Sequence, residues 1–79
     1  LKMKVEIRLL SILKGFAPGN RDVFYLELEG GATVGQLLGE LNIPFSIKRV
    51  ILVNGYHGNE DTVLAENDQV TLFPPMGGG

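Results

Sequence analysis

Cysteine is absent from this 79-residue chain. That excludes disulfides, thiolate metal sites and a cysteine nucleophile, leaves packing alone to stabilise the fold, and permits a reducing compartment. Long apolar runs are missing too. Nothing approaches the roughly 20 residues that span a bilayer, and Leu1-Lys2-Met3-Lys4 passes straight into a strand pattern without a signal-peptide core. The expectation is a cytoplasmic protein with no membrane partner. Basic residues are few, seven Lys and Arg against nine Asp and Glu. Apart from Lys48-Arg49 they stand singly, with no basic stripe interleaved with aromatics, which argues against a nucleic-acid partner.

Side-chain chemistry is equally sparse. Histidine occurs once, at His57 beside a turn, where a surface or hairpin role outweighs that of a general base. Glu60-Asp61 and Glu66-Asn67-Asp68 lack the alternating oxygen ligands and closing Glu of a calcium loop, and read as solvated turns. No Gly-Lys-Ser/Thr sequence makes a phosphate loop. No metal and no bound cofactor is expected.

What is present describes one small folded domain: 44% of residues are apolar and 20% charged, the balance of a globule rather than a disordered chain. Lys2 to Leu9 alternates faultlessly, with Met3, Val5, Ile7 and Leu9 on one face, and predicts a half-buried strand. Leu10 to Phe16 is apolar but irregular, and Ala17-Pro18-Gly19-Asn20 predicts a reversal. Val23 to Leu28 forms a second strand, with Phe24, Leu26 and Leu28 sharing a face.

Gly30-Gly31 ends that strand. Thr33 and Gln36 make a capping box, and Val34, Leu37, Leu38 and Leu41 lie on one face of a helix ending near Asn42. Gly35 and Gly39 each cost about 1 kcal/mol against Ala within that helix, which therefore depends on packing; both read as small outward residues. Val50 to Val53 is a continuous apolar run, the pattern of a strand covered on both sides. Asn54-Gly55 predicts a type I′ turn into a return strand at Tyr56-His57. Thr62-Val63-Leu64 is a short apolar piece, Asn67 suits a left-handed turn position, and Gln69 to Phe73 forms the last strand, stopped by Pro74.

The order strand, strand, helix, strand, short strand, strand predicts an α+β fold with one helix across a mixed sheet of four to five strands. It resembles the β-grasp, or ubiquitin-like, fold. The likeness implies that the first and last strands are central neighbours and that Val5, Ile7, Val70 and Leu72 share a core beneath Leu37, Leu38 and Leu41.

The most informative segment is Phe73-Pro74-Pro75-Met76-Gly77-Gly78-Gly79. It divides the chain into a domain at 1–75 and a flexible tail at 76–79. Glycine lacks Cβ, so such a tail threads a channel too narrow for side chains. From Pro75, four extended residues reach about 13 Å, and the diproline restricts the direction of exit. The expected reactive group is the Gly79 carboxylate. An ATP-dependent enzyme would convert it to an acyl-adenylate, from which a sulfur or nitrogen nucleophile displaces AMP. The alternative is a linker-like terminus without chemistry.

Met3-Lys4-Val5, Thr33-Val34 with Leu37-Leu38, Val53-Asn54-Gly55, Leu64 to Val70 and the Phe-Pro-Pro-x-x-Gly-Gly ending together resemble the ubiquitin-like sulfur carriers, within them the branch of molybdopterin synthase small subunits. That resemblance implies adenylation by a ubiquitin-activating-type enzyme that uses ATP, conversion to a C-terminal thiocarboxylate, and insertion into the large subunit of molybdopterin synthase. The chain would donate sulfur for the dithiolene of the molybdenum cofactor without catalysing the reaction alone. Gly79 would bear the thiocarboxylate and Gly78 complete the diglycine. Gly77, where the family usually carries a side chain, together with Met76, Pro75, Pro74 and Phe73 would meet the partner. A carrier or protein modifier for thiamine, cysteine or lysine conjugation, and a non-covalent interaction domain, are the other readings.

Overall fold

A computed structural model describes residues 1–75. Its strands are β1 (Lys2–Leu9), β2 (Val23–Glu29), β3 (Val50–Val53), β4 (Tyr56–His57) and β5 (Gln69–Phe73), and its one helix, α1 (Val34–Glu40), lies between β2 and β3 in the chain. The strands make a mixed sheet in the order β2-β1-β5-β3-β4, so the fold is α+β with the β-grasp arrangement anticipated from the element order. β1 pairs antiparallel with β2 and parallel with β5, and β5 pairs antiparallel with β3.

Alternation in β1 places Met3, Val5, Ile7 and Leu9 inward, where Val5, Ile7 and Leu9 are fully buried. The parallel register sets Ile7 beside Val70 and Leu9 beside Leu72. These four join Val34, Leu37 and Leu38 of the helix in one core cluster. The parallel pair needs a crossover between its strands, and the whole chain from β2 to β4 supplies it.

Both ends of α1 are closed locally. Thr33 Oγ1 accepts from Gln36 N–H at 3.3 Å while Thr33 N–H donates to Gln36 Oε1 at 2.8 Å, the anticipated capping box. At the other end Asn42 adopts φ +59°, Ile43 N–H donates to Leu38 C=O and Asn42 N–H to Gly39 C=O. That is a Schellman closure with a buried Ile43. The Asn54-Gly55 turn has positive φ at both residues, as its type requires, and Asn67 is left-handed. The irregular Leu10 to Phe16 segment contains a 3-10 helix at Ser11–Phe16, which buries Leu13. Lys14 from this helix pairs with Asp22, just before β2.

Three expectations are corrected. Gly35 is not merely small: its N–H donates to Glu60 C=O at 2.9 Å, and a Cβ there would stand 3.3 Å from that oxygen. The acidic turns are not simply solvated. Glu66 accepts from Lys4 N–H at 3.0 Å, Asp68 from Ala65 N–H at 2.8 Å, and Glu60 pairs with Arg49. Finally, β3 is covered on one side only: Ile51 is buried, whereas Val50 and Leu52, which point the other way, are half-buried.

Arg49 reads in the sequence as an ordinary basic residue. Its side chain is only 6% exposed. The guanidinium bridges Glu60 and the carbonyls of Pro44 and Phe45 at 3.2 and 2.9 Å, and stands 5.3 Å from the Phe45 ring centroid. It joins the segment leaving α1 to the loop that approaches Gly35.

Nothing among the described residues crowds Gly39. Gly39→Ala is therefore expected to stabilise the fold by about 0.5–1 kcal/mol through helix propensity, whereas Gly35→Ala gains nothing because of Glu60 C=O. Urea denaturation of the two variants checks the difference. The Lys14 ammonium, by hydrogen bond first and charge second, holds the Asp22 carboxyl below its ordinary value of 3.8. Because the folded value is depressed, this contribution is present above pH 3.8 and is lost as pH falls through the lower folded value. NMR titration of Asp22 is expected to show that low midpoint, and Lys14→Gln to return it toward the ordinary carboxylate range.

Candidate functional site

The site is built on β5, the strand whose end becomes the tail. Backbone ladders hold β5 on both sides, with Leu72 beside Leu9 of β1 and Ile51 of β3. The ladder with β3 runs out to Phe73, opposite Val50. Leu10 N–H, just past β1, donates to Leu72 C=O at 3.0 Å. Pro74 has no N–H to continue the ladder, so β5 ends at Phe73 as expected.

The start of β5 is fixed by a polar clamp that the sequence did not reveal. Asn54 Nδ2–H donates to Asp68 Oδ1 at 2.8 Å, and Asn54 Oδ1 accepts from Gln69 N–H at 2.9 Å. Asn54 N–H donates to Gln69 C=O at 2.7 Å. One residue thus serves both as a left-handed turn position and as the tie between that turn and β5.

Strand alternation sends Val70 and Leu72 into the core and Gln69, Thr71 and Phe73 to the outer face. Phe73 is half-buried on that face, opposite Val50. Leu10, 45% exposed, flanks it from the β1 side. Leu10, Phe73 and Val50 thereby form an apolar row at the end of the sheet from which the chain departs. A second row holds Arg8, Thr71, Leu52 and His57, each opposite the next. Farther across, the face becomes ionic: Arg8 pairs with Glu6 at 3.3 Å, and Lys4 stands 5.7 Å from the Tyr25 ring centroid.

Of the anticipated site residues, the structure brings Phe73 and Pro74 to this apolar end, both half-buried, with Pro75 exposed beyond them. The expectations for Met76, Gly77, Gly78 and Gly79 lie outside the described residues. Leu10, Val50 and Leu52 were not singled out from the sequence, although the doubly apolar Val50–Val53 run carried the signal. An apolar face that the described residues leave partly uncovered at the end of β5 is suited to docking another protein. His57 is exposed, opposite Leu52.

The sequence pattern of the ThiS family matches residues 20–79, and none of the curated proteins matches significantly. The solved structure of small archaeal modifier protein 1 from Haloferax volcanii is similar, with a TM-score of 0.78 at 22% identity over 94% of this chain and 99% of that one. Subunit 1 and 2 of molybdopterin-converting factor from Helicobacter pylori are described as a protein-protein complex, a chain of which aligns with a TM-score of 0.65 at 23% identity, over 98% of this chain and 100% of that one. Caldiarchaeum subterraneum ubiquitin has a TM-score of 0.59 at 21% identity, with 99% of each chain covered. At these identities the structural likenesses establish the ubiquitin-like fold.

The two faces of β3 predict opposite mutational behaviour. Ile51→Ala is expected to cost about 2–4 kcal/mol by opening the core. Leu52→Ser, on the half-covered face, should cost less than about 1 kcal/mol while weakening capture of a docking protein. Chemical denaturation and pull-down of the same two variants check both halves.

Proposed function

The chain belongs to the ThiS family, and from that premise we propose that it is a sulfur carrier serving as the small subunit of a molybdopterin synthase. The observation that carries this reading is the junction of the apolar Leu10, Phe73 and Val50 row with the diproline at the end of a central strand. A rigid body docks through the row while Pro74 and Pro75 restrict the direction of the backbone that follows β5.

The chemistry requires one group of the chain. A terminal carboxylate oxygen of Gly79 attacks the α-phosphorus of ATP on an activating enzyme, forming an acyl-adenylate and releasing pyrophosphate. Hydrosulfide adds to the activated carbonyl, AMP leaves with the mixed-anhydride oxygen and the proton passes to solvent, so that the terminus is a thiocarboxylate. Gly77 and Gly78 give clearance, Pro74 and Pro75 give direction, and ATP is consumed by the enzyme rather than held by the carrier. The thiocarboxylate then passes its sulfur to substrate in the large subunit. The fold's likeness to a subunit of a molybdopterin-converting factor complex supports such an assembly.

A second reading, a protein modifier joined through Gly79 to lysine, is favoured by the likeness to small archaeal modifier protein 1. Mass spectrometry after incubation with an activating enzyme, ATP and a sulfur donor distinguishes the two. The carrier gives the mass change of one oxygen replaced by sulfur at Gly79, and deletion of Gly78 and Gly79 abolishes it. Accumulation of lysine adducts in cells, with no thiocarboxylate, favours the modifier. Survival of all cellular activity after that deletion would reject both.

A further inference from the structure

β2 is an edge strand: it pairs with β1 and with no other strand among the described residues. Which of its backbone groups are free follows from one bond. Gly30 N–H donates to Leu1 C=O at 2.7 Å, making that opposed pair hydrogen-bonded. In an antiparallel ladder the bonded pairs alternate, so Leu28, Leu26 and Phe24 turn their amides and carbonyls toward β1. Val23, Tyr25, Glu27 and Glu29 turn theirs outward. Ala32 N–H occupies the Glu29 carbonyl; the other outward groups have no backbone partner among the described residues.

Beside this edge runs a groove of about 360 Å³ between β2 and α1. Leu28, Ala32 and Gly39 contribute apolar or bare surface to it. Gly39 is informative because nothing among the described residues requires it: a Cβ there would meet open space. A helix of seven residues nevertheless carries glycine at this position, at a cost of about 1 kcal/mol in propensity. Clearance for something entering the groove accounts for that cost, whereas internal packing does not.

The charge around the groove is acidic. Glu27, Glu29 and Glu40 line it against the single cation Lys2. Lys2 is engaged with Glu29 at 3.5 Å, which leaves Glu27 and Glu40 without a cationic partner among the described residues. A second copy of the chain would be a poor occupant, because antiparallel pairing of two β2 edges brings the Glu27 and Glu29 carboxylates of both copies onto one face.

We propose that the β2 edge and its groove bind an extended, lysine- or arginine-bearing segment of a partner protein, added to the sheet as a further strand. The segment's main chain completes the free ladder positions at Val23, Tyr25 and Glu27. Alternate side chains of the added strand turn toward the groove. A lysine or arginine there lays its aliphatic stem over Leu28 and the bare surface at Gly39, and its head meets Glu40, with Glu27 adding negative charge from the other face of β2. This site is separated from the Phe73 end by β1, so it is available while the tail is engaged, and it does not depend on the carrier reading.

The test titrates isotope-labelled full-length chain with a capped peptide of alternating lysine and valine. Two controls are an alternating glutamate and valine peptide, and the lysine peptide N-methylated at every backbone amide. The lysine peptide is expected to shift the Val23, Tyr25, Glu27 and Glu29 amides and to slow their exchange by about tenfold or more at saturation. Added salt should weaken it. Gly39→Met, a helix-compatible change that fills the groove, is expected to raise Kd by about tenfold or more. The double variant Glu27→Lys with Glu40→Lys should lose the lysine peptide and accept the glutamate one, with an unchanged fold confirmed by its remaining amide spectrum. Equal binding of either control peptide to the unaltered chain overturns the proposal. So do shifts confined to the Leu52 and Phe73 face, or β2-mediated dimerisation in place of peptide binding.

Discussion

The parallel ladder between β1 and β5 is the constraint on which the rest of the structure depends. Parallel neighbours cannot be joined by a tight turn, so everything from β2 to β4 must travel around the pair and close over it. That route puts α1 across the sheet and buries Ile7, Leu9, Val70 and Leu72 together. It also makes the last strand a central one. β5 is laddered on both sides as far as Leu72 and on the β3 side to Phe73. The proline pair begins where the ladder ends.

The same sheet has unequal needs on its two faces. The inner face is saturated by α1 and the loops, while the outer face passes from an ionic half around Glu6 to an apolar half around Phe73 and Leu52. Exposed apolar area is costly in water, and here it lies beside the end of β5, the arrangement that the proposed docking uses. The polar groups elsewhere are committed to structure: Asn54 and Asp68 clamp the start of β5, and Arg49 fastens two loops through Glu60 and the carbonyls of Pro44 and Phe45.

Much of the fold was legible because local rules and global packing agree. β1 and β5 were bounded as observed because period-two alternation and Pro74 act within the strands themselves. Thr33, Gln36, Asn54 and Asn67 were legible because caps and turns are short-range chemistry. The errors fell where a residue answers to something distant in sequence. Gly35 answers to Glu60, and Arg49 to Glu60 and Pro44. The acidic turns answer to backbone amides such as Lys4, 62 positions from Glu66. Val50 to Val53 was read correctly as apolar on both faces but wrongly as covered on both, because a strand pattern reports what a side chain prefers and not whether this chain provides it.

By itself the sequence determined the strands, the helix with its N-terminal capping box, and the absence of cysteine. All of these follow from residue chemistry within a few positions. Only the tertiary structure decided that Leu10, Phe73 and Val50 converge, that Gly35 is pressed and Gly39 is bare, and that β2 keeps a free acidic edge. Each of those depends on register between strands separated by tens of residues, and register is set by the closed core as a whole.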